Sequence, residues 1–487
     1  MELWGSEAYW LVRFVFQRGL AAIYLLAFLV AAHQFRPLVG EDGLLPIGDY
    51  VRGASWKDRP SLFYFFPSDR VIGAAAWGGV VLALAALVGV PYWLPEPYPL
   101  IASMVLWAAM WGLYQSFVNA GQLFYGYGWE SMLLETGFLA IFLGAGATAP
   151  PVVVIWLLKW LLFRNMFGAG LVKLRGDTCW RELTCLDHHY ETQPMPNPLS
   201  WFAHHLPKPF HRLETLGNHI VEVVVPFLYF APQPVAAAGG LATIGFQGWL
   251  LLTGNFAWLN ALTVVQAVPT FSDEMLAAVL PVNAPAAAPT PMGLDGAALL
   301  LAAVVLVKSI RPVQNMLSAS QVMNYSFDPL HLVNTYGAFG SITRRRYQLV
   351  VEGTREANPR EEDWQEYTFK GQPVRTGERP VQWAPYHLRL DWQLWFAAMY
   401  PGPTARQRWL VALLEGLLEN DEAVLGLVRS TPFADGPPRQ VRVLRYRYRF
   451  TTPTERAETG DWWVRTRIGV FVPPGRPADL AGRRRRR

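Results

Sequence analysis

The sequence has 487 residues, more than one compact core usually holds, so its length favours two or more structural units. Apolar residues make up 52% of the chain and charged residues only 16%, against roughly 25% in soluble domains, so much of the chain cannot face water. The net charge of +5 comes without any nucleic-acid-binding signature, and nucleic acid is not an expected partner.

The first apolar segment runs from Tyr9 to Phe35. It is too long for a cleaved secretory signal, contains Arg13 and Arg18, and is not followed by a small-residue cleavage site. It therefore predicts a helix that spans the membrane.

Further stretches have the roughly 20 mostly apolar residues that a helix needs to cross the hydrocarbon layer. They predict a polytopic α-helical bundle over residues 1–310. About eight spans are expected, near residues 10–35, 71–94, 99–118, 131–149, 151–171, 216–231, 236–254 and 294–310. The run Phe256–Phe271 adds another span or dips in partway.

Two signals disagree about the side on which the long loops lie. Lysines and arginines in loops 36–70 and 172–215 favour the cytoplasm by the positive-inside rule. Cys179 and Cys185, the only two cysteines, are candidates for a disulfide in an oxidising compartment, although they are also compatible with free thiols. We favour the non-cytoplasmic side for loop 172–215 and a disulfide as a structural clip.

After Ile310 the composition changes, and residues 311–487 are predicted to form a soluble α+β domain with an antiparallel sheet. Alternating patterns predict four strands, at Tyr347–Glu352, Glu366–Lys370, Val441–Phe450 and Trp462–Val472. Arg406–Leu418 is predicted to be an amphipathic helix. The arginines of Val441–Phe450 favour an exposed strand that resists edge pairing, with an anionic partner as the alternative.

Six of the nine histidines fall between His188 and His219. A metal site is one hypothesis for this segment, because histidine and carboxylate side chains are good ligands. Neighbouring histidines on a helix point about 100° apart, however, and the sequence has no HExxH motif. We therefore predict no metal site.

A catalytic site is the second hypothesis, with Lys173 as a base supported by Glu130, Glu135 or His188. Ionisable groups in spanning segments are costly and indicate function by default. The alternative is that Glu135, Arg164, Glu222 and similar residues form internal salt bridges that only fix the packing of the helices.

The third hypothesis is structural. Four prolines, Pro194, Pro196, Pro198 and Pro207, impose an extended path on the loop, which then forms a rigid cap that presents a surface to another protein. The residues expected on this client surface are His189, Trp201, His204, His205, His211 and Glu214.

The run Gly176–Asn218 closely resembles the signature of the lipase maturation factor family. The matching strings are GDTCWRELTCLDHHYETQPMPNPLSW and HRLETLGNHIVEVVVPF, with weaker similarity in RPVQNMLSASQVMN, VEGTREANP and APYHLRLDWQLWFAA. This resemblance implies a non-enzymatic factor of the endoplasmic reticulum membrane that assists the folding and assembly of secreted lipases. The implied partners are a secreted lipase and membrane lipids, with no cofactor.

The Ala-, Arg- and Leu-rich composition and the terminal Arg483–Arg487 run favour a bacterial-type member, which would lie in the inner membrane. The short string GAGLVKL is also similar to vitamin K-dependent γ-glutamyl carboxylase, which would make Lys173 a base acting on a lipid-soluble or quinone-like substrate. A transporter is a minor alternative, since the two halves show no inverted repeat. If the chain is a chaperone, loop 172–215 and the soluble domain should meet on one face.

Overall fold

Helices form the first two thirds of the chain and a sheet dominates the last third. A computed structural model describes residues 9–282, 284–285, 288–399 and 407–476. The helices are α1 Trp10–Val39, α2 Ile47–Gly53, α3 Asp69–Val88, α4 Tyr98–Ala120, α5 Gly128–Ala140, α6 Val152–Arg175, α7 Thr178–Arg181, α8 Leu186–Thr192, α9 Ser200–His204, α10 Lys208–His219, α11 Val225–Leu228, α12 Val235–Thr253, α13 Leu259–Ala267, α14 Asp273–Ala277, α15 Met292–Leu317, α16 Arg389–Met399, α17 Arg408–Glu419, α18 Glu422–Leu425 and α19 Pro453–Thr459. The strands are β1 Tyr325–Ser326, β2 Asn334–Thr335, β3 Arg346–Thr354, β4 Gln365–Glu366, β5 Gln440–Phe450 and β6 Trp463–Gly475.

Six helices in the described part of the chain, α1, α3, α4, α6, α12 and α15, are long and apolar enough to cross a membrane. Local chemistry sets their ends. The hydroxyl of Ser68 accepts a hydrogen bond from the backbone N–H of Val71 and begins α3, while Gly89, in the left-handed conformation at φ 80°, ends it. The polytopic bundle predicted from the sequence is therefore confirmed.

The C-terminal ends of α1, α6, α12 and α15 lie on one side of the bundle, which we call the domain side. There Gln34 of α1 donates to the carbonyl of His387 in the soluble domain at 2.8 Å. Arg175 at the end of α6 donates to the carbonyl of Met316 at the end of α15 at 2.6 Å. The N-terminal ends of α1 and α6 lie on the opposite side, where Arg13 donates to the carbonyl of Gly146 at 2.8 Å.

Three shorter segments carry the chain back between the long helices, and they explain where the predicted span lengths differ from the structure. Predicted span 131–149 is the 13-residue α5 followed by a short 3₁₀ turn, because Gly144 and Gly146, at φ 72°, end the helix early. Predicted span 216–231 is broken by a π-helical turn at Ile220–Val224. Phe256–Phe271 contains the 9-residue α13 and a short 3₁₀ turn, and it carries the chain across the bundle, from Thr253 on the domain side to Asp273 beside Trp10 on the opposite side.

The soluble domain has a four-stranded antiparallel sheet in the order β4-β3-β5-β6. Its strands overlap all four predicted ranges, which confirms the α+β class. The prediction that Val441–Phe450 is an exposed edge strand is wrong, because β5 lies between β3 and β6. Arg442 of β5 instead pairs with Glu352 of β3 at 2.6 Å. The predicted amphipathic helix begins at Arg408, while Arg406 and the Arg483–Arg487 run lie outside the described residues.

Candidate functional site at the junction of the loop, the bundle and the sheet

Loop 172–215 is a compact structure on the domain side. The carboxylate of Asp177 accepts a hydrogen bond from the backbone N–H of Cys179 at 3.1 Å and so begins α7. Cys179 and Cys185 form a disulfide, and both are buried beside Trp180 and Tyr190. The structure thus contains the predicted disulfide.

We expect that replacing Cys179 with alanine will lower the free energy of unfolding by about 2 kcal/mol, because the disulfide closes a short loop and constrains the unfolded chain. Thermal unfolding of the purified protein in detergent measures this change. Cys185→Ala and the double variant should match Cys179→Ala, since any of the three removes the same bond. A double variant much less stable than either single variant would contradict this account.

The loop packs directly on the soluble domain through Arg346 of β3. The buried guanidinium of Arg346 donates to the carbonyls of Glu191, Gln193 and Pro194, at 3.3, 2.5 and 3.2 Å. Burial lowers the pKa of Arg346 to about 9, so the side chain remains a cation at neutral pH. A single side chain of the sheet therefore binds three backbone carbonyls at the end of α8 and just after it.

Aromatic packing closes the same junction. The indole N–H of Trp201 donates to the carbonyl of Thr451 at 2.9 Å, and its ring lies 6.0 Å from that of Trp462. Asp177 forms an ion pair with Arg344 at 2.8 Å. These contacts join loop 172–215 and the soluble domain into one unit on the domain side, so the two parts meet on one face as expected.

The six residues predicted to form the client surface do not share one surface. His189, Trp201 and His211 are buried. The ring of His211, for example, contacts the carboxylate of Asp187 at 3.2 Å and the carbonyl of Ala203 at 3.0 Å. The other three, His204, His205 and Glu214, are only partly exposed. The large apolar side chains that the loop does expose are Leu199, Phe202, Phe210 and Leu213.

Two histidines of the loop, His189 and His204, are held in their neutral form. Burial and, secondarily, the charge of Lys173 lower the pKa of His189 to about 3, and burial lowers the pKa of His204 to about 4. Neither imidazole gains a proton near neutral pH. Among the described residues, no group of three or more His, Cys, Asp or Glu side chains is placed to hold a metal ion.

Lys173 lies at a cavity, but with partners other than those predicted. Its ammonium pairs with Glu222 at 2.6 Å, donates to the amide oxygen of Asn218 at 2.9 Å and lies 5.0 Å from the ring of Trp180. The cavity is also lined by His189 rather than His188. The internal salt bridge considered for Glu222 is therefore present.

Glu130 and Glu135 belong to two other buried clusters. Glu130 pairs with Arg389 at 2.8 Å and accepts a hydrogen bond from the hydroxyl of Tyr114. Glu135 pairs with Arg164 of α6 and accepts from the hydroxyl of Tyr336 at 2.6 Å. The structure thus does not bring Lys173, Glu130, Glu135 and His188 to one site.

Sequence reasoning missed Arg389 and Arg346, which carry the contacts between the parts of the chain. Arg346 directly precedes the predicted strand Tyr347–Glu352, and Arg389 lies in a string that indicated only the family resemblance. Arg389 sits in the string APYHLRLDWQLWFAA, where one arginine among apolar residues was the available signal. Fully buried arginines are rare unless paired, so such a residue indicates a partner elsewhere in the chain.

Comparison with known proteins connects this architecture to a family. Residues 11–278 match the description "Lipase maturation factor transmembrane domain", and residues 332–473 match "Lipase maturation factor C-terminal domain". The chain belongs to the lipase maturation factor family. It is 41% identical to human lipase maturation factor 1 over 96% of this chain and 88% of that protein. It is also similar to bovine lipase maturation factor 1, at 42% identity over 98% of this chain and 91% of that protein.

Lipase maturation factor 2 is a more distant relative within the family, with 29% identity to the human protein over 95% of this chain and 82% of that one. No solved structure matches the chain. These comparisons confirm the resemblance read from Gly176–Asn218 and favour it over the carboxylase-like alternative. They give no support to the bacterial-type prediction.

Proposed function

We propose that this protein is a membrane-bound lipase maturation factor that assists the folding and assembly of secreted lipases. The observation that carries the proposal is its similarity to lipase maturation factor 1 along 96% of the chain, in both the transmembrane and the C-terminal domain. The fused unit of loop and sheet supports it, because a client needs a rigid platform outside the bilayer.

The platform has features that suit an incompletely folded protein. Loop 172–215 exposes Phe202 and Phe210, and β6 is an edge strand that exposes Ile468 and Val470. Exposed apolar groups beside an open strand edge bind extended, apolar segments of other chains. We propose that the client contacts this side, whereas the buried histidines support the platform from within.

The decisive experiment is expression of the protein in cells that lack their own lipase maturation factors, together with a secreted lipase. We expect the activity of the secreted lipase to be restored and the lipase to co-purify with the protein. The variant Arg346→Met should weaken both effects while the protein still reaches the membrane. Unchanged lipase activity with and without the protein would contradict the proposal.

We propose further that the domain side faces an oxidising compartment, the lumen if the protein resides in the endoplasmic reticulum. The buried Cys179–Cys185 disulfide supports this side, because such bonds form and persist in oxidising compartments. The basic residues of loops 36–70 and 172–215 would favour the opposite side. A disulfide requires oxidation, whereas the positive-inside rule is a bias, so we give the disulfide more weight.

Two introduced cysteines test the orientation in sealed microsomes. Thr466 is exposed on β6, on the domain side, and Glu274 is exposed in α14, on the opposite side near Trp10. We expect a membrane-impermeant maleimide to label Glu274→Cys in intact vesicles and Thr466→Cys only after the vesicles are opened. The reverse pattern would place the platform in the cytoplasm.

We expect Arg346→Met to release the loop from the sheet. It removes charge-assisted hydrogen bonds and leaves three carbonyls without their donor, which should lower the free energy of unfolding by about 2–3 kcal/mol. Hydrogen exchange of the backbone amides in residues 186–205 should become faster, and secreted lipase activity should fall.

The matched control is Arg447→Met on the same sheet, because Arg447 is exposed on β5. It should leave the hydrogen exchange of the loop amides unchanged, and it should change the free energy of unfolding by no more than about 0.5 kcal/mol. If Arg346→Met leaves the exchange of the loop amides unchanged, the loop is held by other contacts.

A further inference from the structure

The cavity beside Lys173 lies inside the bundle and has a volume of about 90 Å³. It is bounded by α5, α6, α12 and α13, by the inner face of loop 172–215, by Asn218 and Glu222, and by Asn324 and residues 337–339 after α15. Most of its wall is apolar, formed by Met132, Met166, Leu186, Leu250, Phe256 and Leu259. Such a wall suits a hydrocarbon group better than a cluster of water molecules.

Two amide side chains at this cavity have unused hydrogen-bonding atoms. Within the described residues, Gln247 Oε1 and Asn260 Nδ2 are buried and have no partner. The side chains of Gln247 and Asn260 are only 5% and 2% exposed. A buried polar atom without a partner costs about 1–3 kcal/mol, so two at one cavity indicate that a bound molecule completes them.

The charges at the cavity are already balanced. The ammonium of Lys173 and the carboxylate of Glu222 pair with each other, and Asn218 bonds to both. Glu222 lies in the π-helical turn Ile220–Val224, and such turns are frequent at functional sites. A charged ligand would find no free counter-charge in this ion pair, so the ligand should be uncharged.

We propose that this cavity binds the hydroxyl end of a neutral, hydrocarbon-bearing lipid, such as a monoacylglycerol, a diacylglycerol or a long-chain alcohol. A hydroxyl group has both functions that these atoms need, because its O–H can donate to Gln247 Oε1 and its oxygen can accept from Asn260 Nδ2. The hydrocarbon contacts Met166, Phe256 and Leu259. The site lies on the inner face of loop 172–215, whereas the proposed client contacts its exposed residues, and the proposal does not depend on the lipase maturation role.

The test uses the full chain in phosphatidylcholine nanodiscs with a photoactivatable long-chain alcohol as the probe. We expect crosslinks in peptides from α12 and α13, which an excess of unlabelled alcohol displaces. The methyl ether of the same alcohol should compete poorly, because its oxygen accepts but cannot donate. Separate competition by monoacylglycerol, diacylglycerol and a sterol then identifies the source of the hydroxyl.

Two independent variants and a control complete the test. Gln247→Leu combined with Asn260→Leu removes both polar atoms, and crosslinking should fall at least about tenfold. Ala169→Leu fills the cavity from α6 and should have the same effect while both amides remain. Gln233→Leu is the control, because Gln233 Oε1 is also buried without a partner among the described residues but does not line this cavity.

Thermal unfolding of each variant shows that it is folded in the nanodisc before crosslinking is compared. Equal competition by the alcohol and its methyl ether would overturn the proposal. Unchanged crosslinking in a folded Ala169→Leu variant would overturn it as well, and so would the absence of displaceable crosslinks, which would mean that the cavity holds water alone.

Discussion

Arg389→Met is expected to lower the free energy of unfolding by about 3–5 kcal/mol, the cost of breaking a buried ion pair from one side. Arg389 and Glu130 are completely buried and lie 2.8 Å apart. The guanidinium also donates to the carbonyl of Phe124 at 2.7 Å and lies 3.4 Å from the ring of Tyr125. Without it, the Glu130 carboxylate stays in a site that water does not reach.

Because Arg389 belongs to the soluble domain and Glu130 to the bundle, the substitution should loosen the contact between the domain and the bundle. Thermal unfolding in detergent gives the loss of stability, and limited proteolysis should show faster cleavage after residue 317. Glu130→Gln should also destabilise the protein, whereas the double variant should lose less than the two single variants together, since neither charge then remains unpaired.

The control for this pair is the exposed ion pair of Arg52 and Asp49, whose side chains are 74% and 49% exposed. Arg52→Met should change the free energy of unfolding by about 1 kcal/mol or less, because water screens such pairs. If Arg389→Met is as mild as Arg52→Met, Glu130 and Arg389 do not join the two parts of the chain.

The long spanning helices could be predicted from the sequence because the signal is local. A run of about 20 apolar residues is sufficient to indicate a span, whatever the rest of the chain does. The return segments could not be predicted in the same way. Their apolar runs are similar, but Gly144 and Gly146 end one helix and a π-helical turn interrupts another, and both depend on contacts with neighbouring helices.

The partners of the charged residues could not be predicted, because they depend on contacts between distant parts of the chain. The arginine pattern of β5 looks like that of an exposed strand, yet Arg442 reaches Glu352 of β3, 90 positions away. Likewise, Lys173 and Glu222 are separated by 49 positions, and only the fold brings them together. The sequence could therefore identify ionisable residues in the bundle but could not assign their partners.

For loop 172–215, the sequence identified the family but did not predict the burial of the histidines. The string around Gly176–Asn218 was enough to identify the family, because its order of residues is specific. It was not enough to tell which histidines face water. His189 and His211 are buried because the disulfide and Arg346 fold the loop back onto the bundle and the sheet.

The second large effect is expected at Lys173, where the two functional hypotheses give different results. Lys173→Met leaves the buried Glu222 carboxylate unpaired and should lower the free energy of unfolding by about 3–5 kcal/mol. Thermal unfolding in detergent measures this loss. Lys308→Met is the control, because its ammonium lies 3.6 Å from the carboxylate of Asp328, which keeps hydrogen bonds from the backbone N–H groups of Leu330 and Leu332. It should cost about 1 kcal/mol or less.

The double variant Lys173→Met with Glu222→Gln separates structure from chemistry. Without an unpaired charge it should regain most of the lost stability. If the ion pair only fixes the packing of α6 against the π-helical turn, secreted lipase activity should return with stability. If lipase maturation required Lys173 itself as a base, the double variant would be stable yet unable to support the lipase, because methionine cannot accept a proton. Since Lys173 is already bound to Glu222 and Asn218, we expect the first outcome.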